Sequence, residues 1–186
     1  EFPELANWWR KHGFGPLREV TAGIVLGRDL PVAVTVPTPA AMHALGVELA
    51  GLLRAGDVII ATGDLGAGKT TLARGIGEGL DVEGPVISPT FVLSRIHSAR
   101  GDGPDLVHVD AYRMAGADEL ADIDLDATLS RSVTLVEWGE GIAEWLSDER
   151  LEIDIDREVG DEARRVTLTG TGPRWDGALE ALRRNP

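Results

Sequence analysis

Residues 57–71 decide the fold: Asp57-Val58-Ile59-Ile60-Ala61-Thr62-Gly63-Asp64-Leu65-Gly66-Ala67-Gly68-Lys69-Thr70-Thr71. The apolar run 58–61 has the length and the β-branched side chains of a buried strand. It leads directly into the pattern Gly-x4-Gly-Lys-Thr, and residues 71–76 can open a helix. Strand, glycine-rich loop and helix in this order form a cradle for phosphate groups.

Each residue type in this loop has a chemical task. Glycines let successive backbone N–H groups turn onto a β-phosphate, and the start of the helix directs partial positive charge at the anion. Lys69 can reach the β- and γ-phosphate oxygens, and the Thr70 hydroxyl can ligate Mg²⁺. A chance match is expected in well under ~1% of chains of this size. We therefore expect residues 63–71 to bind a nucleoside triphosphate, with Lys69 as a catalytic residue.

The composition of the chain excludes several classes of protein. A chain of 186 residues without cysteine can form one α/β domain with its own core and holds neither disulfides nor thiolate metal sites. No apolar run approaches 18 residues and no segment resembles a signal peptide, so we expect no membrane contact and a cytoplasmic location. The net charge of −13 repels nucleic-acid backbones, so any RNA is expected to be held by a partner protein.

Two further predicted strands, 106–110 and 132–138, carry the carboxylates Asp110 and Glu137 at or near their ends. P-loop proteins place a magnesium-organising carboxylate at such a position. One carboxylate can order the waters of Mg²⁺, and the other can position or deprotonate an attacking water. Each alone could also be an ordinary loop residue, and the residues leave open which of the two does which task.

The remaining pattern predicts a P-loop NTPase three-layer α/β fold with a mixed central sheet that includes an antiparallel hairpin. Thr38 is the expected N-cap of a helix that Gly46 weakens slightly. We expect His97 and His108 to be structural or peripheral, because they lack the companions of a metal site. The other predicted elements are a strand at 32–36, a strand at 91–97 antiparallel to 106–110, a hairpin of 151–156 with 163–169 and solvent-facing carboxylates, and a terminal helix from about 175 to 184.

Residues 1–30 differ from the rest of the chain and are interpreted as an N-terminal extension, with residues 31–186 as the P-loop ATPase domain. The extension has an aromatic and basic segment at 8–15 and a candidate strand within 20–30. This pattern resembles the C-terminal end of an acetyltransferase domain. Two interpretations stay open: the tail of an upstream fused domain, and a plain extension that packs on the core.

Four motifs together resemble the bacterial TsaE (YjeE) family over roughly residues 32–170. They are the loop 63–71, Ser88-Pro89-Thr90-Phe91, His108-Val109-Asp110-Ala111-Tyr112-Arg113 and Leu135-Val136-Glu137-Trp138. The resemblance implies that Thr90 senses the γ-phosphate and the metal, and that Trp138 lies beside the nucleotide. It also implies that Glu137 is the Walker-B-type carboxylate at Mg²⁺ and that Asp110 is the second carboxylate and activates water.

The family resemblance implies an Mg²⁺-dependent ATPase with slow intrinsic hydrolysis. It would act in forming N6-threonylcarbamoyladenosine in tRNA, with the TsaB and TsaD proteins as partners. ATP is favoured over GTP because the chain has no Asn-Lys-x-Asp motif. The chain departs from the family at Phe91, where many members have Tyr, and at Gly139, where many have Pro. A P-loop small-molecule or nucleoside kinase and a non-catalytic, nucleotide-dependent adaptor remain as alternatives.

Overall fold

The structure, a computed structural model, describes residues 9, 14–20, 23–27, 30–157 and 162–183. Its strands are β1 (Gly15–Val20), β2 (Gly23–Gly27), β3 (Val32–Val36), β4 (Val58–Thr62), β5 (Ser94–His97), β6 (Asp105–Asp110), β7 (Ser132–Glu137), β8 (Arg150–Arg157) and β9 (Arg164–Thr171). Its α-helices are α1 (Pro39–Ala50), α2 (Lys69–Gly79), α3 (Ala117–Ala121) and α4 (Asp126–Leu129). Short 3-10 helices lie at Glu144–Leu146, Pro173–Trp175 and Glu180–Leu182.

Seven strands form one mixed sheet in the order β3-β9-β8-β4-β7-β6-β5, and β1 pairs with β2 in a separate two-stranded sheet. The central strands are parallel, since β4 pairs in parallel with both β7 and β8, and β6 pairs in parallel with β7. The pairs β5–β6, β8–β9 and β3–β9 are antiparallel. The predicted mixed sheet with an antiparallel hairpin is therefore confirmed.

Side chains of the central strands alternate between two hydrophobic cores, one on each face of the sheet. In β4, Ile59 belongs to the core that also contains Leu49 of α1 and Ile76 of α2. Its neighbour Ile60 belongs to the opposite core, with Leu120 of α3. Elements on both faces of a sheet make three layers, and strands buried on both sides explain the continuous apolar run of β4.

The parallel arrangement of β4, β6 and β7 positions the site. Their carboxyl ends meet at one edge of the sheet, where Glu137 is in register with Ala61 on one side and with Asp110 on the other. Because the loop 63–68 leaves β4 at this edge, it lies beside both carboxylates. Ligands of open α/β sheets bind at this kind of edge.

Helix α1 begins as predicted, with the Thr38 hydroxyl accepting a hydrogen bond from the Ala41 amide at 3.1 Å. Its Gly46 is more than a weak point in the helix, because α1 and α2 cross there with their backbones in contact. A Cβ at Gly46 would collide with the Leu72 carbonyl oxygen, and one at Gly75 would collide with the His43 carbonyl oxygen. Both glycines are required by this close helix crossing.

Some predicted boundaries are corrected. The prediction of a terminal helix is wrong, because residues 173–182 form two short 3-10 helices separated by Gly177, whose φ is +68°. The strand predicted at 91–97 begins only at Ser94, because Leu93 has φ of +64°. In the extension, β1 precedes the predicted strand, which is present as β2. Most of the predicted hairpin turn lies outside the described residues.

Candidate phosphate-binding site

The loop between β4 and α2 has the backbone of a phosphate cradle. Gly63, Gly66 and Gly68 have φ of +138°, +75° and +120°. A Cβ at Gly63 would lie 2.5 Å from the Ile155 carbonyl oxygen, so no other residue fits there without a shift. Helix α2 starts at Lys69 with no side-chain hydrogen bond at its N-cap, so its first N–H groups face the loop.

Lys69 is buried and folded back across this loop. Its Nζ donates to the carbonyl oxygens of Gly63 at 2.5 Å and Asp64 at 3.1 Å, and it lies 3.7 Å from the centre of the Trp138 ring. Burial lowers the pKa of the Lys69 ammonium group, and nearby carboxylates, Glu137 first, oppose this shift. The site therefore contains a partly desolvated cation whose present partners are carbonyl groups, and phosphate oxygens can replace them.

Glu137, at the end of β7, is linked to α2 and β6 by its side chain. Thr70 donates from its hydroxyl to Glu137 Oε1 at 2.9 Å and also lies 3.2 Å from Oε2. The buried ring of His108 contacts the same Oε1 through Nε2 at 2.8 Å. His108 was expected to be structural or peripheral; it is fully buried, so it is not peripheral, and its contact with Glu137 places it beside the site.

Asp110, at the end of β6, anchors the segment 88–90. Its Oδ2 accepts hydrogen bonds from the hydroxyls of Ser88 at 3.0 Å and Thr90 at 2.5 Å, and its Oδ1 accepts from the Tyr112 amide at 3.0 Å. Thr90 is thus joined to the same edge of the sheet as the phosphate loop. A group that displaced the Thr90 hydroxyl from Asp110 would leave this segment held to Asp110 by Ser88 alone.

Trp138 directly follows Glu137 and has an unusual backbone, with φ of +62°. Its amide donates to the Ala61 carbonyl oxygen at 2.9 Å, which fixes the residue after β7 against β4. Its half-buried ring borders the second core and packs 5.1 Å from the ring of Tyr112. Trp138 therefore forms a wall of the site. Sequence alone had favoured a position in the hydrophobic core.

These side chains surround a cleft of about 380 Å³. It is lined by Leu65, Gly66, Gly68, Lys69, Thr70, Thr71, Arg74, Ser88, Thr90, Asp110, Tyr112, Glu137 and Trp138. The structure thus brings together ten of the thirteen residues predicted for the site, and adds Arg74, Ser88 and Tyr112. Of the other three, Gly63 and Asp64 line the neighbouring cleft and Ala67 is buried.

The neighbouring cleft, of about 440 Å³, lies on the other side of Trp138. Its charged lining is mainly acidic, with Asp64, Glu140 and Asp156 beside Arg157, and it lacks both Lys69 and Thr70. An acidic lining repels phosphate groups. We therefore assign the phosphates of a ligand to the smaller cleft.

The donors in the smaller cleft suit Mg²⁺. The hydroxyl of Thr70 and the carboxylates of Asp110 and Glu137 are all oxygen ligands, the type that Mg²⁺ prefers. Within the described ranges no group of three or more His, Cys, Asp or Glu side chains could hold a metal. Mg²⁺ is usually bound by one or two carboxylates together with substrate phosphates and water, and Thr70, Asp110 and Glu137 offer donors of that kind.

His108 was missed because its environment was judged from its neighbours in sequence. Side chains alternate along a strand, so His108 and Asp110 share one face of β6. On the adjacent β7, Leu135 and Glu137 are their register partners. This two-residue periodicity was the signal that could have placed His108 next to the carboxylates. Arg74, one turn after Thr70 in α2, could have been found by helical spacing in the same way.

Comparison with known proteins agrees with this geometry. The family model described as "Threonylcarbamoyl adenosine biosynthesis protein TsaE" matches residues 36–166. The chain belongs to the TsaE family. This TsaE family member is 61% identical over 138 residues to the tRNA threonylcarbamoyladenosine biosynthesis protein TsaE of Streptomyces coelicolor, covering 72% of this chain and 93% of that protein. It is 41% identical over 149 residues to the Bacillus subtilis protein of the same name, covering 79% and 90%.

A solved structure also resembles this TsaE family member. The crystal structure of Bacillus subtilis YdiB superposes with a TM-score of 0.66 at 36% sequence identity, covering 82% of this chain and 94% of that chain. Together with the strand, loop and helix at 58–79, this confirms the predicted P-loop NTPase fold. The resemblance to the TsaE family expected from the four motifs is confirmed as well.

Proposed function

We propose that this TsaE family member is an Mg²⁺-dependent ATPase that supports formation of N6-threonylcarbamoyladenosine in tRNA, with residues 31–186 as its ATPase domain. The observation that carries the proposal is the convergence of Lys69, Thr70, Asp110 and Glu137 on one cleft beside a phosphate loop. The pathway follows from relatives that are named for tRNA threonylcarbamoyladenosine biosynthesis. Residues 1–30 are an extension of this domain or the tail of another.

The positions of the side chains suggest a separate role for each of them in ATP hydrolysis. Lys69 moves from the carbonyl oxygens of the loop to the β- and γ-phosphate oxygens of ATP. Thr70 and Glu137, already in contact at 2.9 Å, would hold Mg²⁺, which would neutralise charge on the phosphates. Asp110 then positions or deprotonates the attacking water, a role that general bases fill with rate effects of about 10²–10⁴-fold.

Thr90 is the proposed γ-phosphate sensor. Its hydroxyl is held by Asp110, so the arrival of ATP and Mg²⁺ next to that carboxylate changes the anchor of the segment 88–90. This couples the state of the nucleotide to the position of the segment 88–90, which the exposed residues Phe91 and Val92 follow. Intrinsic hydrolysis is expected to be slow, as the resemblance to the TsaE family implies.

The partners proposed are proteins of the TsaB and TsaD type, with tRNA held only through them. Two large apolar side chains follow Thr90, with Phe91 86% and Val92 56% exposed, and such exposure beside the proposed nucleotide sensor favours docking to another protein. The net charge of −13 disfavours direct binding of tRNA. In the described part of the chain no helix is long and apolar enough to cross a membrane. A cytoplasmic location is proposed.

Hydrolysis of ATP by the purified chain tests the proposal. We expect slow release of phosphate that requires Mg²⁺, and a loss of at least about tenfold in Lys69→Ala, because the ammonium group is placed at the transferred phosphate. The matched control is Lys11→Ala, which removes the only other lysine. Normal turnover in Lys69→Ala contradicts the assignment.

Two further readouts separate the alternatives. Transfer of the γ-phosphate to an added nucleoside or metabolite favours a kinase. ATP-dependent association with TsaB and TsaD type proteins, scored together with tRNA modification, separates the ATPase from an adaptor. If Lys69→Ala binds ATP and supports modification without turnover, the adaptor is favoured.

A further inference from the structure

The buried hydrogen bond between His108 and Glu137 lies directly beneath the proposed metal site. Both side chains are almost inaccessible, at 0% and 4% exposure, and His108 Nε2 lies 2.8 Å from Glu137 Oε1. We infer that His108 is a positioning residue, which fixes the Glu137 carboxylate for Mg²⁺. This inference rests on the proposed role of Glu137 and adds a residue to which no role was assigned.

The direction of the hydrogen bond follows from the surroundings of the ring. Nε2 faces a carboxylate oxygen, whereas Nδ1 is buried and has no hydrogen-bond partner among the described residues. A ring with its proton on Nε2 donates to Glu137 and leaves only a lone pair unpaired. The other tautomer would bury an N–H group without an acceptor and would set a lone pair against the carboxylate, which is much less favourable.

His108 is the partner of Glu137 that stays in place when the site is filled. The other partner, Thr70, is proposed to direct its hydroxyl oxygen to Mg²⁺, which competes with its present contact. His108 instead belongs to β6, whose register with β7 sets His108 opposite Leu135 and Asp110 opposite Glu137. Residues that hydrogen-bond to a metal ligand fix the orientation of that ligand. Their loss typically weakens metal binding by about 10–100-fold.

A second buried histidine provides a matched control. His97, on the neighbouring strand β5, is also buried and also has an unpartnered ring nitrogen, Nε2. It pairs in register with Leu106 at the far end of β6, and its hydrogen bond is to the backbone of Glu83. Replacement of His97 therefore measures the effect of changing a buried histidine in this part of the sheet without touching Glu137.

The test compares nucleotide affinity with Mg²⁺ and with EDTA, using a slowly hydrolysed ATP analogue. The dissociation constant in EDTA divided by the dissociation constant with Mg²⁺ isolates the contribution of the metal. We expect His108→Ala to reduce this ratio by about tenfold or more while leaving affinity in EDTA within about twofold. His108→Gln, whose amide N–H can reach Glu137, is expected to restore most of the ratio. His97→Gln is expected to leave it unchanged.

A merely structural role for His108 gives a different pattern. In that case His108→Ala lowers affinity equally with and without Mg²⁺, or His97→Gln reduces the ratio as much, and either result overturns the inference. Nitrogen-15 NMR of the free protein tests the tautomer independently. A proton on Nε2 supports the inference, and a proton on Nδ1 alone overturns it.

Glu137→Gln distinguishes failure of this inference from failure of the proposed function. If Glu137→Gln abolishes the Mg²⁺ effect and His108→Ala does not reduce it, the role of His108 is wrong and the metal assignment stands. If Glu137→Gln retains the full Mg²⁺ effect, Glu137 is not at the metal, and both the assignment and the inference are overturned.

Discussion

The Thr70 hydroxyl donates to the carboxylate of Glu137 across 67 positions of sequence, with Oγ1 2.9 Å from Oε1 and 3.2 Å from Oε2. One residue lies in the first turn of α2 and the other at the end of β7. Their contact shows that the phosphate loop and the neighbouring strand end are already arranged around a common point. Preorganisation of this kind reduces the reorganisation that ligand binding requires.

Thr70→Val is expected to remove the metal-dependent part of nucleotide binding. Valine has nearly the shape of threonine but offers no oxygen to Mg²⁺, so ATP hydrolysis and the Mg²⁺-dependent gain in affinity should each fall by about tenfold or more. Titration of an ATP analogue with and without Mg²⁺ measures the effect. Thr70→Ser should retain most of the gain.

Thr134→Val is the matched control for that change, because Thr134 lies on β7, is buried and has a hydroxyl without a partner among the described residues. We expect nucleotide binding to be unchanged there and the midpoint of thermal unfolding to stay the same or rise, since an unsatisfied buried hydroxyl is removed. Equal losses in both variants would assign the effect at Thr70 to packing.

Asp110→Asn is expected to separate binding from chemistry. The amide preserves much of the shape but is a poor base, so the hydrolysis rate should fall by about 10²-fold while the affinity for ATP changes only a few-fold. Glu137→Ala should lower both the rate and the Mg²⁺-dependent affinity, with part of the nucleotide binding kept. Single-turnover hydrolysis and equilibrium titration measure the two quantities.

Asp118→Asn, an exposed acid at the start of α3, is the control for the loss of one negative charge. It is expected to behave as the parent protein in both assays. Parental hydrolysis rates in Asp110→Asn and Glu137→Ala together would remove the basis for two active carboxylates.

Much of the phosphate site was predictable because its parts are local in sequence. The β4 run, the glycine pattern and the start of α2 are consecutive, and their order alone specifies the cradle. Asp110 and Glu137 were found because each follows a recognisable apolar strand. Parallel neighbouring strands end at the same edge, so local patterns predicted a contact between distant residues.

The parts that were not predicted depend on contacts between elements. The contact of His108 with Glu137 depends on the register of β6 with β7, which no single segment of sequence defines. The close crossing at Gly46 and Gly75 depends on how α1 meets α2. A terminal helix was predicted from about 175 to 184, but Gly177 adopts a left-handed conformation and Trp175 is buried against the sheet at Gly170. Tertiary packing overrode the local preference there.

Gly75→Ala is expected to destabilise the fold through the helix crossing. The added methyl group meets the carbonyl oxygen of His43, a backbone atom that cannot rotate away, so α1 and α2 must separate. Overpacking of this kind costs about 1–3 kcal/mol. The midpoint of urea-induced unfolding measures the loss.

The control for this change is Gly101→Ala, where nothing lies within 4 Å of the added Cβ. We expect its unfolding free energy to stay within about 0.5 kcal/mol of the parent value. If Gly75→Ala is equally well tolerated, the close approach of α1 and α2 is incorrect.

Asp154→Asn is expected to stabilise the protein at neutral pH. Asp154 is half-buried on β8, and this burial is the main cause of its raised pKa. The nearby carboxylates of Glu140, Glu152 and Asp156 raise the pKa further. The folded state binds the proton of Asp154 more tightly than the unfolded chain does. Protonation of Asp154 therefore contributes fully to the free energy of unfolding below the unfolded pKa of 3.8. This contribution is lost as the pH rises through the raised folded value.

The amide of Asp154→Asn is never ionised, so the variant avoids this loss. Its midpoint of thermal unfolding should exceed that of the parent at pH 7, and the difference should shrink as the pH falls and vanish below about pH 4. Asp102→Asn, in an exposed turn, is the charge-matched control and should give little difference at any pH. A gain for Asp154→Asn that persists unchanged at acid pH would show that ionisation of Asp154 does not limit stability.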